Sequence, residues 1–125
     1  MIEFKIDHKS GVPLYRQIID QIKFGIASGN WRVGEQLPTV RSLAVELKVN
    51  LNTVMKAYKE LEIQNILETH QGTGTFISSV QVEIDEKERQ NKLEGICAEM
   101  LNVARTYGFT TEDLIETLEA QKNRP

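Results

Sequence analysis

The chain has 125 residues, of which 40% are apolar and 26% charged, a composition typical of a globular protein rather than a disordered one. No apolar run approaches the roughly 20 residues that a membrane span requires. The first residues, MIEFKIDHKSG, lack the apolar core of a signal peptide, so we expect a cytoplasmic protein. The length fits one domain, or a small domain with an appendage.

The formal net charge is −3, which by itself does not suggest a nucleic-acid partner. The charge is, however, unevenly distributed. Residues 1–79 carry nine Lys/Arg and eight Asp/Glu, a net of +1, whereas residues 80–125 carry six and ten, a net of −4. Any contact of the first part with DNA must therefore come from the local placement of side chains rather than from bulk charge.

The first predicted helix covers residues 13–28, PLYRQIIDQIKFGIAS, where apolar side chains recur every four positions. Pro13 suits the first helical position, because an N–H there would have no partner within the helix. Gly29 can end the helix in a left-handed conformation. The loop that follows, GNWRVGEQLP, contains turn residues, and we expect Trp31 and Val33 to attach it to the core.

Two shorter helices are predicted next, separated by a tight turn at Val49 and Asn50. Thr39 is the expected N-cap of the first, which runs to Lys48, and Asn50 is the expected N-cap of the second, which runs to about Gln64. Each has one apolar face with residues three and four apart: Leu43, Ala44 and Leu47 in the first, and Val54, Ala57, Tyr58 and Leu61 in the second.

The hydrophobic pattern changes after these helices. Two short segments, ILETH and TFISS, flank the turn residues QGTG, which predicts a β-hairpin with glycines at the bend. Three helices followed by a hairpin is the order of a winged helix-turn-helix. The predicted fold class is therefore mainly α with a small β-hairpin, in which residues 1–79 form a winged helix-turn-helix DNA-binding domain.

The third helix has a polar face opposite its apolar one, and this face suggests contact with double-stranded DNA. In a helix-turn-helix, the start of the second helix of the motif meets base edges in the major groove. Asn can bond adenine through both the N–H₂ and the C=O of its side-chain amide, Thr can offer a hydroxyl or a methyl, and Lys can reach phosphate or guanine. Next to Thr53, the face carries Asn52, Met55, Lys56 and Lys59.

The run LPTVRSLAVELKVNLNTVMKAYKELEIQNILETHQGTGTFI resembles the GntR family of bacterial transcription regulators. Its parts match in order: L-P-x-x-R-x-L-A, then V-N-x-N-T-V-x-K-A-Y-x-x-L-E, then the wing Q-G-x-G-T-F. The preceding PLYRQIIDQI and VGEQLP fit as well, so that the resemblance covers residues 10–78. The N-x-N-T-V-x-K-A-Y form, followed by a short C-terminal tail, is similar to the YtrA-type subfamily.

This resemblance implies operator-specific DNA binding as a dimer, usually for repression. It implies that Arg41 contacts a base or phosphate, and that Gln71 and Gly72 form the wing tip that enters the minor groove. Many family members carry Arg or Ser where Leu51 stands and Arg where Met55 stands, so their operator sequences do not transfer to this chain. The predicted DNA-binding set is Arg41, Asn50, Asn52, Thr53, Lys56, Lys59, Gln71, Gly72 and Thr73.

Simpler interpretations of several of these residues stay open. Asn50 can serve only as a helix cap, and Asn52 and Arg41 can be solvated surface residues. Met55 can touch a thymine methyl or simply cover the surface. The glycines of the wing allow close approach to DNA, but Gly72 can equally be no more than a turn glycine.

The acidic last third begins with residues 80–92, which are either a linker or the solvated opening of a long helix. From Leu93 an apolar stripe predicts a helix that ends at Gly108. A last helix follows, with Thr110 or Thr111 as its cap. Residues 80–125 are therefore predicted to be a helical dimerisation region.

The apolar stripe of these two helices needs a partner. Two helices are too small to cover their own apolar faces and enclose a sizeable ligand. The stripe must pack on the winged-helix domain or on a second copy of the chain, and symmetric pairing is the commoner solution. The predicted homodimer interface is Leu93, Ile96, Met100, Leu101, Tyr107, Leu114 and Leu118. Cys97 has the apolar neighbours Ile96 and Met100 and is expected to be a buried structural thiol.

Other function classes find less support in the residues. Two histidines, one cysteine and the lack of any H-E-x-x-H, G-x-S-x-G or P-loop motif give little material for an enzyme, so no catalytic residue, metal or cofactor is predicted. A protein-interaction module is the main alternative, although an interface core favours aromatics or leucines over the polar residues at this helix start. A small-molecule effector in a dimer groove is neither indicated nor excluded, and the operator is not predicted.

Overall fold

The computed structural model describes residues 3–80 and 82–124. It is mainly helical with one small antiparallel sheet, as predicted from the sequence. No helix within these residues is both long and apolar enough to span a membrane. The elements in chain order are α1 (Leu14–Ala27), α2 (Val40–Leu47), α3 (Leu51–Ile63), β1 (Leu67–His70), β2 (Gly74–Ile77), α4 (Glu86–Thr106) and α5 (Thr111–Lys122).

The chain divides into two compact units, the first ending at Ile84 and the second beginning at Asp85. The sequence predicts a boundary between residues 79 and 80, where the predicted hairpin ends, before the point where the structure divides. The difference arises because Val82 still packs against the core of the first unit. We call residues 3–84 the N-terminal unit and residues 85–124 the C-terminal unit.

α2 and α3 begin where the sequence predicts, whereas α1 begins one residue later than predicted, because Pro13 has a ψ of 145° and is the N-cap rather than the first helical residue. α1 follows Pro13 directly and is succeeded by Gly29 with a left-handed φ of 85°. The Thr39 hydroxyl accepts the backbone N–H of Ser42 at 3.0 Å, and the Asn50 side chain caps α3. The predicted caps are therefore confirmed, because short polar side chains satisfy the free N–H groups of a first helical turn.

The core of the N-terminal unit lies between these three helices and the hairpin. Tyr58 on α3 is buried, and its hydroxyl donates to the carbonyl oxygen of Pro38 at 2.7 Å. This hydrogen bond ties α3 to the residue that precedes the cap of α2. Burial raises the pKa of the Tyr58 phenol above its ordinary value. The fully buried side chains around it include Ile18, Ile19, Ile22, Leu43, Val54 and Leu61.

Of the two residues predicted to attach the loop between α1 and α2 to the core, only Trp31 does so. Trp31 is 2% exposed and packs near Phe4, with 6.3 Å between the ring centroids. Val33, in contrast, is 67% exposed, so the prediction that it attaches the loop to the core is wrong. The loop is held there by its backbone instead, since the N–H of Gly34 donates to the carbonyl of Ile77 at 2.8 Å.

The hairpin consists of β1 and β2 in antiparallel register, with Leu67 opposite Ile77 and His70 opposite Gly74. Residues 34–37 run along the other side of β2 as a third, irregular strand. The N–H of Leu37 donates to the carbonyl of Thr75 at 2.9 Å, and the N–H of Ile77 donates to the carbonyl of Glu35 at 2.9 Å. This additional pairing, which the sequence analysis missed, connects the wing to the entry of α2.

The C-terminal unit is a helical hairpin of α4 and α5. Asp85 caps α4 through the N–H of Glu88 at 2.7 Å, so most of the charged segment 80–92 is the opening of a long helix rather than a linker. Thr110 caps α5 in a reciprocal capping box with Asp113. Cys97 is exposed, which contradicts the prediction of a buried thiol, because one neighbouring helix covers only a narrow strip of α4.

Candidate nucleic-acid interface

The turn between α2 and α3 is short and sharply bent. Lys48 takes a left-handed conformation with φ 57°, and the N–H of Val49 donates to the carbonyl of Ala44 at 3.1 Å. Val49 packs against the core, and Asn50 then caps α3. The sequence predicts a turn at Val49 and Asn50, whereas the residue that reverses the chain is Lys48. The two helices thus meet within three residues, the arrangement of a helix-turn-helix.

The polar face of α3 is exposed as predicted. Asn52, Met55, Lys56 and Lys59 are all exposed, while Thr53 beside them is half-buried. The opposite face of the helix is buried in the core, so only the polar face is accessible to a ligand. From Leu51 to Lys59 the helix contains two lysines and no carboxylate, which leaves its first two turns positively charged.

Asn50 serves as a cap in this structure. Its side-chain oxygen accepts the backbone N–H of Asn52 at 2.8 Å, and the backbone N–H of Thr53 donates to its carbonyl at 3.0 Å. The carboxamide N–H₂ of Asn50 is the part of the side chain that the cap does not use. Asn52 itself projects from the exposed face of the first turn of α3.

Lys56 is held by an aromatic ring from another helix. Its Nζ lies 3.9 Å from the centroid of the Tyr15 ring, in the first turn of α1, a distance that allows a cation–π interaction. The Arg16 guanidinium lies 5.7 Å from the same ring. The sequence analysis missed Tyr15, because its signal, an aromatic residue in the first turn of an amphipathic helix, is equally typical of core packing.

The remaining predicted contacts lie at the start of α2 and at the tip of the hairpin. Arg41 is exposed in the first turn of α2, just after the Thr39 cap. At the tip of the hairpin, the exposed residues Gln71, Gly72 and Thr73 form the turn. Gly72 has a left-handed φ of 80° there. The N–H of Thr73 closes this turn by donating to the carbonyl of His70 at 2.9 Å. We call residues 71–73 the wing tip.

Gln36 contacts the wing tip from outside the hairpin. Its side-chain Nε2 donates to the carbonyl oxygen of Thr73 at 3.1 Å, although the two residues are 37 positions apart in the chain. Sequence periodicity carries no signal for such a contact, since it depends on the pairing of residues 34–37 with β2.

The predicted dimer interface lies on a mostly exposed apolar surface of the C-terminal unit. Met100, Leu101 and Leu114 are half-buried between α4 and α5, while Leu93, Ile96, Tyr107 and Leu118 are exposed. A shallow apolar groove brings together Ile96, Met100, Tyr107 and Leu114 with three apolar residues that the prediction did not include, Val103, Ala104 and Phe109. Across the described ranges, no three His, Cys, Asp or Glu side chains are grouped to hold a metal ion.

Comparison with known proteins identifies the family. The family described as "Bacterial regulatory proteins, gntR family" matches residues 14–77. The chain is 36% identical over 114 residues to the uncharacterized HTH-type transcriptional regulator YhcF of Bacillus subtilis (strain 168), covering 89% of this chain and 91% of that protein. It is 50% identical over 74 residues to the HTH-type transcriptional repressor YtrA of the same strain, covering 59% of this chain and 57% of that protein.

Solved structures agree with this assignment. YtrA from Sulfolobus acidocaldarius, a GntR-family transcription factor, is 36% identical with a TM-score of 0.56, over 79% of this chain and 97% of that one. The DNA-binding domain of AraR in complex with the operator ORX1 is 25% identical with a TM-score of 0.55, over 62% of this chain and 100% of that one. The chain is thus a DNA-binding transcriptional regulator of the gntR family of bacterial regulatory proteins, of the YtrA type.

Proposed function

We propose that the chain represses transcription as a homodimer that binds a palindromic operator. The observation that carries this proposal is the exposed polar face of α3, with Asn52, Lys56 and Lys59, on a helix whose opposite face is fully used by the core. The name of the relative YtrA, a transcriptional repressor, supports repression as the direction of control. A regulator of chromosomal genes acts in the bacterial cytoplasm, and the proposal assigns the chain no catalytic role.

In the proposed complex, α3 lies in the major groove. The polar side chains of its first turn, from Asn50, Asn52 and Thr53, read base edges there, since amide and hydroxyl groups match the donor and acceptor pattern of the groove. Lys59 and Arg41 contact phosphates on either side, and Lys56 reaches a phosphate or guanine. Such contacts position the protein and make binding sensitive to salt.

The wing tip is proposed to enter the adjacent minor groove. Gln71, Gly72 and Thr73 are exposed, and Gly72 adds no side chain that would keep the backbone away from the groove floor. The minor groove offers a degenerate pattern of acceptors, so this contact distinguishes A·T from G·C pairs rather than individual bases.

Pairing of two chains is proposed to occur through α4 and α5. Ile96 is 52% exposed, and it lines the same apolar groove as Met100, Tyr107 and Leu114. A cluster of exposed apolar side chains of this kind typically marks a protein interface. A symmetric dimer would set two recognition helices about 34 Å apart, which is one turn of DNA. The acidic surface of this unit would repel DNA, which leaves DNA binding to the winged-helix unit.

The experiment that tests the DNA-binding face is fluorescence anisotropy with promoter DNA from upstream of the chain's own gene, beside a scrambled duplex. We expect tight binding to the promoter alone, weakening as salt rises. Asn52→Ala should weaken specific binding by about 1–3 kcal/mol, because it removes a base contact, and should leave binding to the scrambled duplex unchanged.

Asn91→Ala is the matched control, since Asn91 is an exposed asparagine on α4, in the other unit. It should bind the promoter like the unmodified chain. Equal affinity of Asn52→Ala and Asn91→Ala for the promoter would contradict the proposed recognition face. Binding to both duplexes with the same weak affinity would instead favour an operator elsewhere or a protein partner for the winged helix.

A further inference from the structure

We propose that Gln36 is a positioning residue that fixes the wing tip for entry into the minor groove. This inference rests on the proposed function, since it concerns how the wing of a DNA-binding unit is held. Gln36 lies outside the hairpin, in the VGEQLP segment that leads to α2.

The wing tip needs support from outside the hairpin. A two-stranded hairpin of four-residue strands is marginally stable by itself. The Thr73 to His70 hydrogen bond closes the turn but does not fix its direction relative to the helices. Residues 34–37 fix the direction of the hairpin relative to the helices, because they pair with β2. Gln36 lies opposite Phe76 there in an isolated antiparallel bridge.

The side chain of Gln36 extends this pairing to the wing tip itself. Its carboxamide N–H₂ donates to the carbonyl of Thr73, the last residue of the tip. This hydrogen bond, which lies on the surface, favours one orientation of the peptide between Thr73 and Gly74. The side chains of Gln71 and Thr73 are then presented in a fixed geometry before DNA arrives, which lowers the entropic cost of binding.

Gly74 lies directly beside this contact. It has a φ of 141°, and a Cβ built on it would collide with the Nε2 atom of Gln36. A side chain at this position would displace the end of Gln36, and it would also have to adopt a conformation that L-residues rarely take. Sequence analysis alone can explain this glycine only as part of the turn.

The contact also links two parts of the proposed interface. Gln36 precedes the Thr39 cap of α2 by three residues, and Arg41 follows in the first turn of that helix. One short segment, residues 36–41, therefore contains both the start of α2 and the residue that contacts the wing tip. A change at Gln36 should disturb the wing contact while leaving the recognition helix, which Tyr58 and the core hold separately, in place.

The test is Gln36→Met, which keeps the length of the side chain but removes the N–H₂ donor and adds no charge. Gln64→Met is the matched control, because Gln64 is an exposed glutamine at the end of α3. In the free protein, we expect faster hydrogen exchange of the backbone amides of residues 73 and 74 in Gln36→Met but not in Gln64→Met. On operator DNA, Gln36→Met should bind roughly two- to tenfold more weakly, the range expected for one hydrogen bond.

Two DNA readouts separate positioning from general damage. Hydroxyl-radical protection in the flanking minor groove should weaken in Gln36→Met, while protection of guanine N7 in the major groove should persist. In a double-mutant cycle, Gln71→Ala should cost less in the Gln36→Met background than in the unmodified chain, because a mobile tip has already lost that contact.

Unchanged amide exchange in the free Gln36→Met protein would overturn the inference. Strictly additive effects of Gln36→Met and Gln71→Ala would do the same, as would equal loss of minor- and major-groove protection. If the unmodified chain showed no operator-specific binding, the proposed function would fail, but the amide exchange of the free protein would still decide whether Gln36 fixes the tip.

Discussion

The two units of the chain differ in how far their apolar side chains are buried. In the N-terminal unit, residues from α1, α2, α3 and the hairpin converge on one buried core. In the C-terminal unit, within the part of the chain that the structure describes, Ala104 is the buried apolar residue, while Ile96, Tyr107 and Leu118 are about half or more exposed. The helices of the two units thus serve different purposes: three of them complete a fold, and two of them offer a surface.

This difference explains why, in the proposed regulator, the N-terminal unit binds DNA and the C-terminal unit pairs two chains. A unit with a complete core can present a rigid polar face to DNA without further help. A helical hairpin with one buried side chain gains little stability from its own packing, because burial contributes only about 25 cal/mol for each Å² removed from water. Its stability must come from a partner surface, and for this hairpin we propose a second copy of the chain.

The largest difference between the two units is expected in the free energy of unfolding when one leucine in each unit is replaced by alanine. Trp31 is the only tryptophan in the sequence and is buried in the N-terminal unit, so its fluorescence reports the unfolding of that unit. Leu43→Ala should lower the free energy of unfolding by about 2–5 kcal/mol, because it opens a cavity in a fully buried site. Urea titration followed by Trp31 fluorescence measures this change.

Leu118→Ala, the same change in the C-terminal unit, should move the Trp31 transition by less than about 0.5 kcal/mol. It should instead weaken dimerisation, measured by sedimentation velocity over a range of protein concentrations. If Leu118→Ala shifted the Trp31 transition as far as Leu43→Ala does, the apolar surface of α5 would pack on the N-terminal core, and the alternative left open by the sequence would be correct.

A smaller effect is expected from removing one tyrosine hydroxyl in each unit. Tyr58→Phe should lower the free energy of unfolding by about 1–2 kcal/mol, because it leaves the carbonyl of Pro38 without its donor. Tyr107→Phe is the control, since Tyr107 is exposed on the other unit and its change should stay within about 0.5 kcal/mol. Equal effects of the two substitutions would contradict the distinction between a closed core and an open surface.

The same tyrosine makes stability depend on alkaline pH. Because burial raises the pKa of Tyr58 in the folded chain, the unfolded chain loses its phenolic proton first as the pH rises. The stabilisation is therefore complete below the unfolded pKa of about 10 and is lost above it. The Trp31 transition should weaken above that pH, and Tyr58→Phe should reduce this dependence.

The smallest effect is expected at the ring that holds Lys56. Tyr15→Leu should weaken operator binding by about 0.5–1 kcal/mol, the usual size of an exposed cation–π interaction, because Lys56 is no longer held over an aromatic face. Tyr15→Phe keeps the ring and should bind like the unmodified chain. Anisotropy titrations measure both, and a Tyr15→Leu effect that persists in a Lys56→Met background would show that the ring acts through another group.

Local signals in the sequence were enough to predict the helices and the hairpin. Thr39, Asn50 and Gly29 act through hydrogen bonds or backbone angles within a few residues, so their roles can be recognised without a structure. The order of three helices and a hairpin, together with the family motifs, then predicted the winged helix-turn-helix.

Features that depend on distant residues could not be predicted in the same way. The pairing of residues 34–37 with β2 and the contact of Gln36 with Thr73 join segments far apart in sequence, and no periodicity encodes them. The errors at Val33 and Cys97 have a related cause. Apolar character predicts a preference for burial, but only the packing of neighbouring elements decides whether a given side chain finds cover.

The most direct test of the central claim compares binding to one and to two half-sites of the operator, once its extent has been mapped by footprinting. Ile96→Asp places a charge on the proposed interface, and Ile63→Asp is the matched control, at a more exposed isoleucine of the N-terminal unit. Ile96→Asp should be monomeric by sedimentation velocity, while Ile63→Asp should remain dimeric.

On DNA, the account predicts that Ile96→Asp binds a single half-site as well as the unmodified chain does. On the full palindrome it should lose roughly 100-fold or more in affinity, because two linked sites no longer act together. A dimeric Ile96→Asp protein with unchanged affinity for the full operator would contradict the claim that the N-terminal unit recognises DNA while the C-terminal unit pairs the chains.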